Sequence, residues 1–442
     1  MYRAAEMYCR KLQLPLECRY LCCSRYSIRI PMYQFDFEEA LDYICRGGID
    51  VTMDKILSRA GLTEKEKRAV LEALGERSKT SPQEGLERSG DGKKDREHPD
   101  DRIAYSMLPD IRERLRSCGG FRMYLQRHSE EELPNLKGYL IQEGLLDGVP
   151  SALVDSGWVG SMQKVLNDLL DRISADCCGD GQSGTHKPRL EGYYWGLYEL
   201  PEGVRAADYH CYYFSPGENL REKVYFSNCL FEGLFSAPHG MTLRYAREEI
   251  PGTSGEECSP PLSPKVRYRP VFAEISQERR SFMEQTENRL MEYTQQLAER
   301  IAEEAAAGCE DGGEGFYRYL NQTDWEREKK IIYRLLRIFM AEPTAEEAEI
   351  YGTMQFSDDV IDREGQQMAA PMNDEELSAN HALRKIGSML GIAGEPLKES
   401  AWYEGSAVLN GRRVQTHLRR YSAYKYLLYL RKRQIWSKRK DG

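Results

Sequence analysis

Three side chains sit where acid–base chemistry could be done: Asp155 at the end of an apolar run, His239 in a proline–glycine break, and Glu232 upstream of it. Asp155 closes Ala152–Leu153–Val154 and opens Ser156–Gly157–Trp158–Val159–Gly160–Ser161–Met162–Gln163. This reads as a short strand, a two-glycine turn and a helix whose Val165, Leu166, Leu169 and Leu170 face a core. In an open α/β sheet, ligands bind outside the carboxyl ends of the strands, where the N–H groups of a following helix attract anions. A phosphate-bearing ligand is therefore expected against Gly157, Gly160, Ser161 and Gln163, with Trp158 stacked on a base or sugar ring and Asp155 or His239 moving a proton. Arg25, just past a strand-like run at Arg19–Cys23, is a candidate anion partner. Each residue also has a purely structural reading. Asp155 caps its own turn, Trp158 lids the core, the glycines make a tight turn, Gln163 faces water, His239 is satisfied by backbone, and Arg25 pairs with one of many acids.

The elements that must position these groups are strands near 19–23, 152–155 and 193–198, each followed by a helical pattern. Strand followed by helix predicts an α/β fold. The expected form is a Rossmann-like, mostly parallel sheet with extensive helical layers and a helical C-terminal region. The chain divides into an opening segment (1–75), a polar linker expected to be mobile (76–101), the α/β core with the candidate site (102–272), a mainly helical region (273–411) and a basic, aromatic C-terminal segment (412–442). Capping boxes at Thr63–Glu66, Ser129–Glu132, Thr323–Glu326, Thr344–Glu347 and Asn373–Glu376 mark helix starts. Val224–Phe235 reads as one helix running into the His239 loop, and Glu274–Ala307 as a long acidic one.

Composition narrows the class. The 442 residues are 40% hydrophobic, ample for a core, yet hold no run of about 18 apolar residues able to span a bilayer. The opening residues mix charge into every turn and show no secretory h-region, so a cytoplasmic protein is expected, with peripheral attachment at the inner face of the membrane as a further option. Twelve cysteines without paired spacing read as free thiols rather than a metal site, and no cofactor is indicated. The short acidic patterns Gly90–Asp91–Gly92 and Asp358–Asp362 read as solvated turns. The net charge of −9 is unevenly placed: residues 412–440 carry eleven Lys or Arg and no acid, leaving 51 basic against 70 acidic side chains, a charge of −19, in 1–411. That body repels nucleic acid, so the basic end reads as an appended contact device. Two readings fit it: a helix lying on an anionic membrane through Val414, Leu418, Tyr421, Tyr424, Leu427, Leu428, Ile435 and Trp436, or a last helix docked on the acidic body.

Several separated stretches share one resemblance. VDSGWVGSMQ (154–163), GYYWGLY (192–198), FEGLFSAPHG (231–240) with Tyr245, and EPTAEEAEIYGTMQFSDD (342–359) are similar to the region that follows the haloacid-dehalogenase-type domain in predicted hydrolases of bacterial surface-polysaccharide clusters. RYLCCSRYSIRIP (19–31) resembles the strand that opens this region. The dehalogenase-type domain itself needs a D-x-D-x-T turn, and the nearest stretch, Phe35–Asp36–Phe37–Glu38, lacks the second aspartate and the threonine, so phosphatase chemistry does not carry over. The resemblance implies a setting in bacterial glycan assembly. Within it the expected function is an enzyme-like protein binding a sugar phosphate or nucleotide-sugar at Asp155–Gln163, with glycosyl transfer as one activity; the alternative is a non-catalytic accessory or membrane-peripheral scaffold module.

Overall fold

The computed structural model describes residues 1–75, 102–177, 189–250, 265–306, 312–356, 366–390, 392 and 397–440. The polar linker at 76–101, Gly90–Gly92, most of the loops at 174–189 and 251–265, and the Asp358–Asp362 stretch lie outside them. The chain is a mixed α/β protein, predominantly helical, with a three-stranded parallel sheet and two small antiparallel pairs. No described helix is long and apolar enough to cross a membrane.

The parallel sheet is built in simple sequence order from β1 (Ala152–Asp155), β2 (Glu191–Gly196) and β3 (Tyr209–Phe214). Asp155 pairs with Tyr194, and Tyr194 with Cys211. The crossover from β1 to β2 is the helix Ser161–Cys177, as parallel pairing requires. Its Val165, Leu166, Leu169, Leu170 and Ile173 are buried with Leu190, Tyr139 and Leu140. Each such leucine contributes about 1.5–3 kcal/mol by leaving water. The opposite face is open, with Val154 68% and Tyr193 45% exposed. β4 (Thr242–Ile250) and β5 (Lys265–Phe272) form an antiparallel pair packed on the helix Gly119–Gln142.

Four elements differ from the sequence reading, one being the helix Trp325–Ala341, which is capped by Asp324, accepting from the Arg327 N–H, rather than by Thr323. Arg19–Cys23 forms no strand and joins no sheet, and β3 takes the third place. Tyrosine hydroxyls replace a neighbouring strand: the Cys22 N–H donates to Tyr139 Oη at 2.8 Å, and Tyr245 Oη donates to the Cys22 carbonyl at 2.8 Å. Ser129 starts no helix, because Gly119–Gln142 runs through it and its hydroxyl donates to the Pro31 carbonyl at 2.7 Å. Val224–Phe235 is two helices, Leu220–Val224 and Asn228–Phe235, the second capped by Ser227, whose hydroxyl accepts from the Leu230 N–H. By contrast, Thr63, Thr344 and Asn373 each close a reciprocal capping box.

The basic segment forms the helix Val414–Lys440, and it is docked. Tyr421 stacks on Tyr403 at 3.9 Å and Tyr429 on Tyr198 at 5.1 Å. Lys425, buried, donates to the Phe226 carbonyl at 3.0 Å and to Glu404 at 3.1 Å; Lys432 pairs with Glu199 at 3.2 Å.

Candidate functional site

The turn after β1 is stitched to the end of β2. The Gly196 N–H donates to the Ser156 carbonyl at 3.3 Å and the Tyr198 N–H to the Trp158 carbonyl at 2.8 Å. At Gly157, φ is +139° and a Cβ would stand 2.1 Å from the Gly196 carbonyl oxygen, so only glycine lets the two segments approach this closely. The Gly157–Trp158 peptide is cis. Asp155 is held by this turn: its carboxylate accepts from the Ser156 N–H at 2.7 Å and from the Ser156 hydroxyl at 3.4 Å. Burial pushes its carboxyl above the usual range, opposed by the hydrogen bonds from Ser156 and Gly157 and by the charge of Arg25. Arg25 itself opens the short helix Arg25–Arg29 with its side chain exposed.

The helix side of the turn is closed. Gly160 meets the Tyr209 ring, where an added Cβ would come within 2.6 Å. Gln163 faces neither water nor a ligand. It is fully buried, its amide donating to the carbonyls of Leu190 and Asp208 at 2.9 Å each and accepting from Tyr194 Oη at 2.8 Å. Phosphate binding by Gln163 is therefore corrected to a structural role: a buried amide must have its groups paired, and here protein partners do so. Asp208 beside it is buried and clasped by Arg189 and Arg205 through Nε contacts of 2.7 and 2.8 Å. Burial alone would raise its carboxyl, but these hydrogen bonds outweigh it and hold the pKa low.

Trp158 turns the other way, into an aromatic cluster. Phe226 lies 5.1 Å from it, Phe231 meets it edge-on at 5.7 Å, and Phe214 stacks at 6.1 Å. Its indole N–H leaves this apolar setting to donate to Glu232 Oε1 at 2.6 Å. Glu232 is thereby fixed on the wall of a cavity of about 350 Å³, lined also by Ser156, Cys23, Ser236, Arg279 and Gln355, with Met241, Met283, Phe235 and Phe356 as its apolar part. Glu232 comes from the helix Asn228–Phe235, Ser236 from its cap, and Arg279 and Met283 from the long helix Gln277–Ala306. The Ser236 hydroxyl donates to the Glu232 carbonyl at 2.6 Å, locking the end of the short helix. Burial pushes the Cys23 thiol up to about 12, which leaves it an uncharged wall rather than a nucleophile.

Of the residues singled out by sequence, Glu232 lines the cavity and Asp155 borders it through Ser156, whereas Gly157, Trp158, Gly160, Ser161, Gln163 and Arg25 do not line it. His239 is also elsewhere. Its Nδ1 donates to the Gly240 carbonyl at 2.7 Å, so in the neutral ring Nε2 accepts from Tyr20 Oη, 2.8 Å away, and the ring stacks on Phe272 at 4.1 Å. It ties the Arg19–Cys23 segment to the end of β5. Cys23, Ser156, Glu232, Ser236 and Gln355 each fall inside a stretch that the sequence reading set apart, whereas Arg279 falls inside none. Among the described residues no group of three or more His, Cys, Asp or Glu could hold a metal ion. No protein-family model matches the chain, and no curated protein does.

Proposed function

We propose that the chain is a ligand-binding module of bacterial surface-glycan assembly and that its cavity takes a sugar phosphate or nucleotide-sugar. The observation that carries this reading is the convergence on one cavity of an arginine, an oriented glutamate, two serines and a glutamine from four separate stretches. A phosphate is the natural partner of the Arg279 guanidinium, whose planar donors match its oxygens. Sugar hydroxyls suit the acceptor oxygens of Glu232 and Gln355 and the hydroxyls of Ser156 and Ser236, with Phe235 and Phe356 against an apolar ring face. In the finer view of the fold, β1, its crossover helix and β2 are one βαβ unit of a Rossmann-like core, with the ligand beyond the carboxyl end of β1.

Binding is preferred to catalysis because the three titratable candidates do not meet. His239 is engaged with Tyr20 and Gly240, and Asp155 with its own turn. A transferase reading rests on Glu232 alone, as the base toward an acceptor hydroxyl; its fixation by the Trp158 indole gives that reading a specific geometry. The test is calorimetric titration of the protein with a uridine diphosphate sugar, a sugar 1-phosphate and inorganic phosphate. Binding of the phosphorylated sugars that Arg279→Gln weakens at least about tenfold, the worth of a lost charge-assisted contact, supports the proposal. No heat with any of them, or affinity untouched by Arg279→Gln, would sink it. Glu232→Gln then separates the two activities: a transferase loses turnover with affinity retained.

A further inference from the structure

The sequence offered docking on the body and contact with a membrane as alternatives for the basic helix. We infer that it does both: the docked helix Val414–Lys440 presents its outer face as a contact surface for an anionic lipid bilayer. The inner face is accounted for by Tyr421, Tyr429, Lys425 and Lys432, which hold the helix against Tyr403, Tyr198, Glu404 and Glu199. The outer face follows from helical spacing. Arg420, Leu427 and Arg431 fall on one line at intervals of seven and four, all exposed; Arg419 and Tyr426 flank it on one side and Ile435 on the other.

Two features fit a bilayer rather than another partner. Leu427 is 50% exposed, Tyr426 46% and Ile435 45%, so aliphatic and aromatic area lies directly between arginines, the composition of an interfacial surface. Nucleic acid would meet the same cations but gains little from aliphatic side chains among them. Charge then fixes orientation. With eleven cations and no acid in 412–440 and a charge of −19 in residues 1–411, an anionic leaflet attracts this end and repels the rest. The surface is separate from the cavity, and its test reads lipid rather than sugar, so either proposal can fail without the other.

The test is co-sedimentation of the full chain with vesicles of phosphatidylcholine alone and of phosphatidylcholine with phosphatidylglycerol. Binding is expected only on the anionic vesicles and is lost in high salt. Each engaged cation changes vesicle affinity by about fivefold, so Arg419→Gln/Arg420→Gln/Arg431→Gln should weaken it by about a hundredfold. Leu427→Gln should weaken it several-fold through the apolar term alone. All four positions are exposed, and unchanged melting curves check that the variants fold. Negligible or equal pelleting with both vesicle types, wild-type binding by the triple variant, or tight binding of a DNA duplex without vesicle binding overturns the proposal. Hydrogen exchange on the helix Tyr403–Asn410, beneath the docked face, should stay slow on vesicles; its loss of protection would show the basic helix peeling away and overturn simultaneous docking.

Discussion

The two sides of the turn after β1 are made of similar residue types and do opposite things. On the helix side, Gln163, Tyr194 and Asp208 form a closed set in which amide, hydroxyl and carboxylate meet protein partners. On the other side, Ser156, Glu232, Arg279 and Gln355 surround a cavity. A glycine-rich strand-turn-helix need not offer its helix N-terminus to a ligand. Here Tyr209 and Tyr194 crowd Gly160, and the cavity lies past the strand end instead.

That contrast can be broken most forcefully on the closed side. Gln163→Leu leaves Tyr194 Oη and the Asp208 carbonyl unpaired, while the Leu190 carbonyl keeps Asn167; a loss of about 2–5 kcal/mol in urea unfolding is expected. A loss below about 0.5 kcal/mol would mean that Gln163 is not structural. Next, Trp158→Phe keeps a ring among Phe214, Phe226 and Phe231 but removes the donor to Glu232, for about 1–3 kcal/mol by the same measurement and a weaker hold on the cavity ligand. On the open side, Arg279→Gln should leave the melting temperature within a few degrees of wild type while ligand affinity falls, the reverse of Gln163→Leu.

The smallest effect is one of pH. The folded-state pKa of Asp155 lies above its unfolded value, so its proton-linked stabilisation is fully present below the unfolded pKa and fades as pH rises through the folded one. Asp155→Asn keeps an oxygen for the Ser156 N–H and does not titrate, so it should gain on the wild type as pH is raised from about 4 to about 7. Asp208, held low by Arg205 and Arg189, runs the other way, its contribution present above the unfolded pKa and lost as pH falls through the folded one. Melting curves of Asp155→Asn parallel to wild type across that range would remove Asp155 from the account.

What the sequence disclosed was what local chemistry decides. The boxes at Thr63, Thr344 and Asn373 are each closed within four residues, and β1 with its crossover helix is set by a run of apolar side chains at helical spacing. What stayed hidden depends on partners far away in the chain. Ser129 has the residues of a capping box but spends its hydroxyl on Pro31, and Arg19–Cys23 has the residues of a strand but is paired by Tyr139 and Tyr245. Glu232 was legible as a carboxylate near a loop. Arg279 was not, because nothing near it in sequence distinguishes it from the other cations of an amphipathic helix.

Gly192 carries a consequence for how this protein can vary. A Cβ there would lie 2.1 Å from Gln163 Oε1 and 2.5 Å from the Tyr194 ring, so the missing side chain on β2 is the space that the glutamine occupies. The two positions are coupled by packing. A side chain at 192 is excluded while Gln163 and the Tyr194 ring stand where they do, and a smaller residue at 163 opens a void beside them. A side chain at 192 needs both Gln163 and the Tyr194 ring to give way, so changes at 163 and 192 should be non-additive rather than independent.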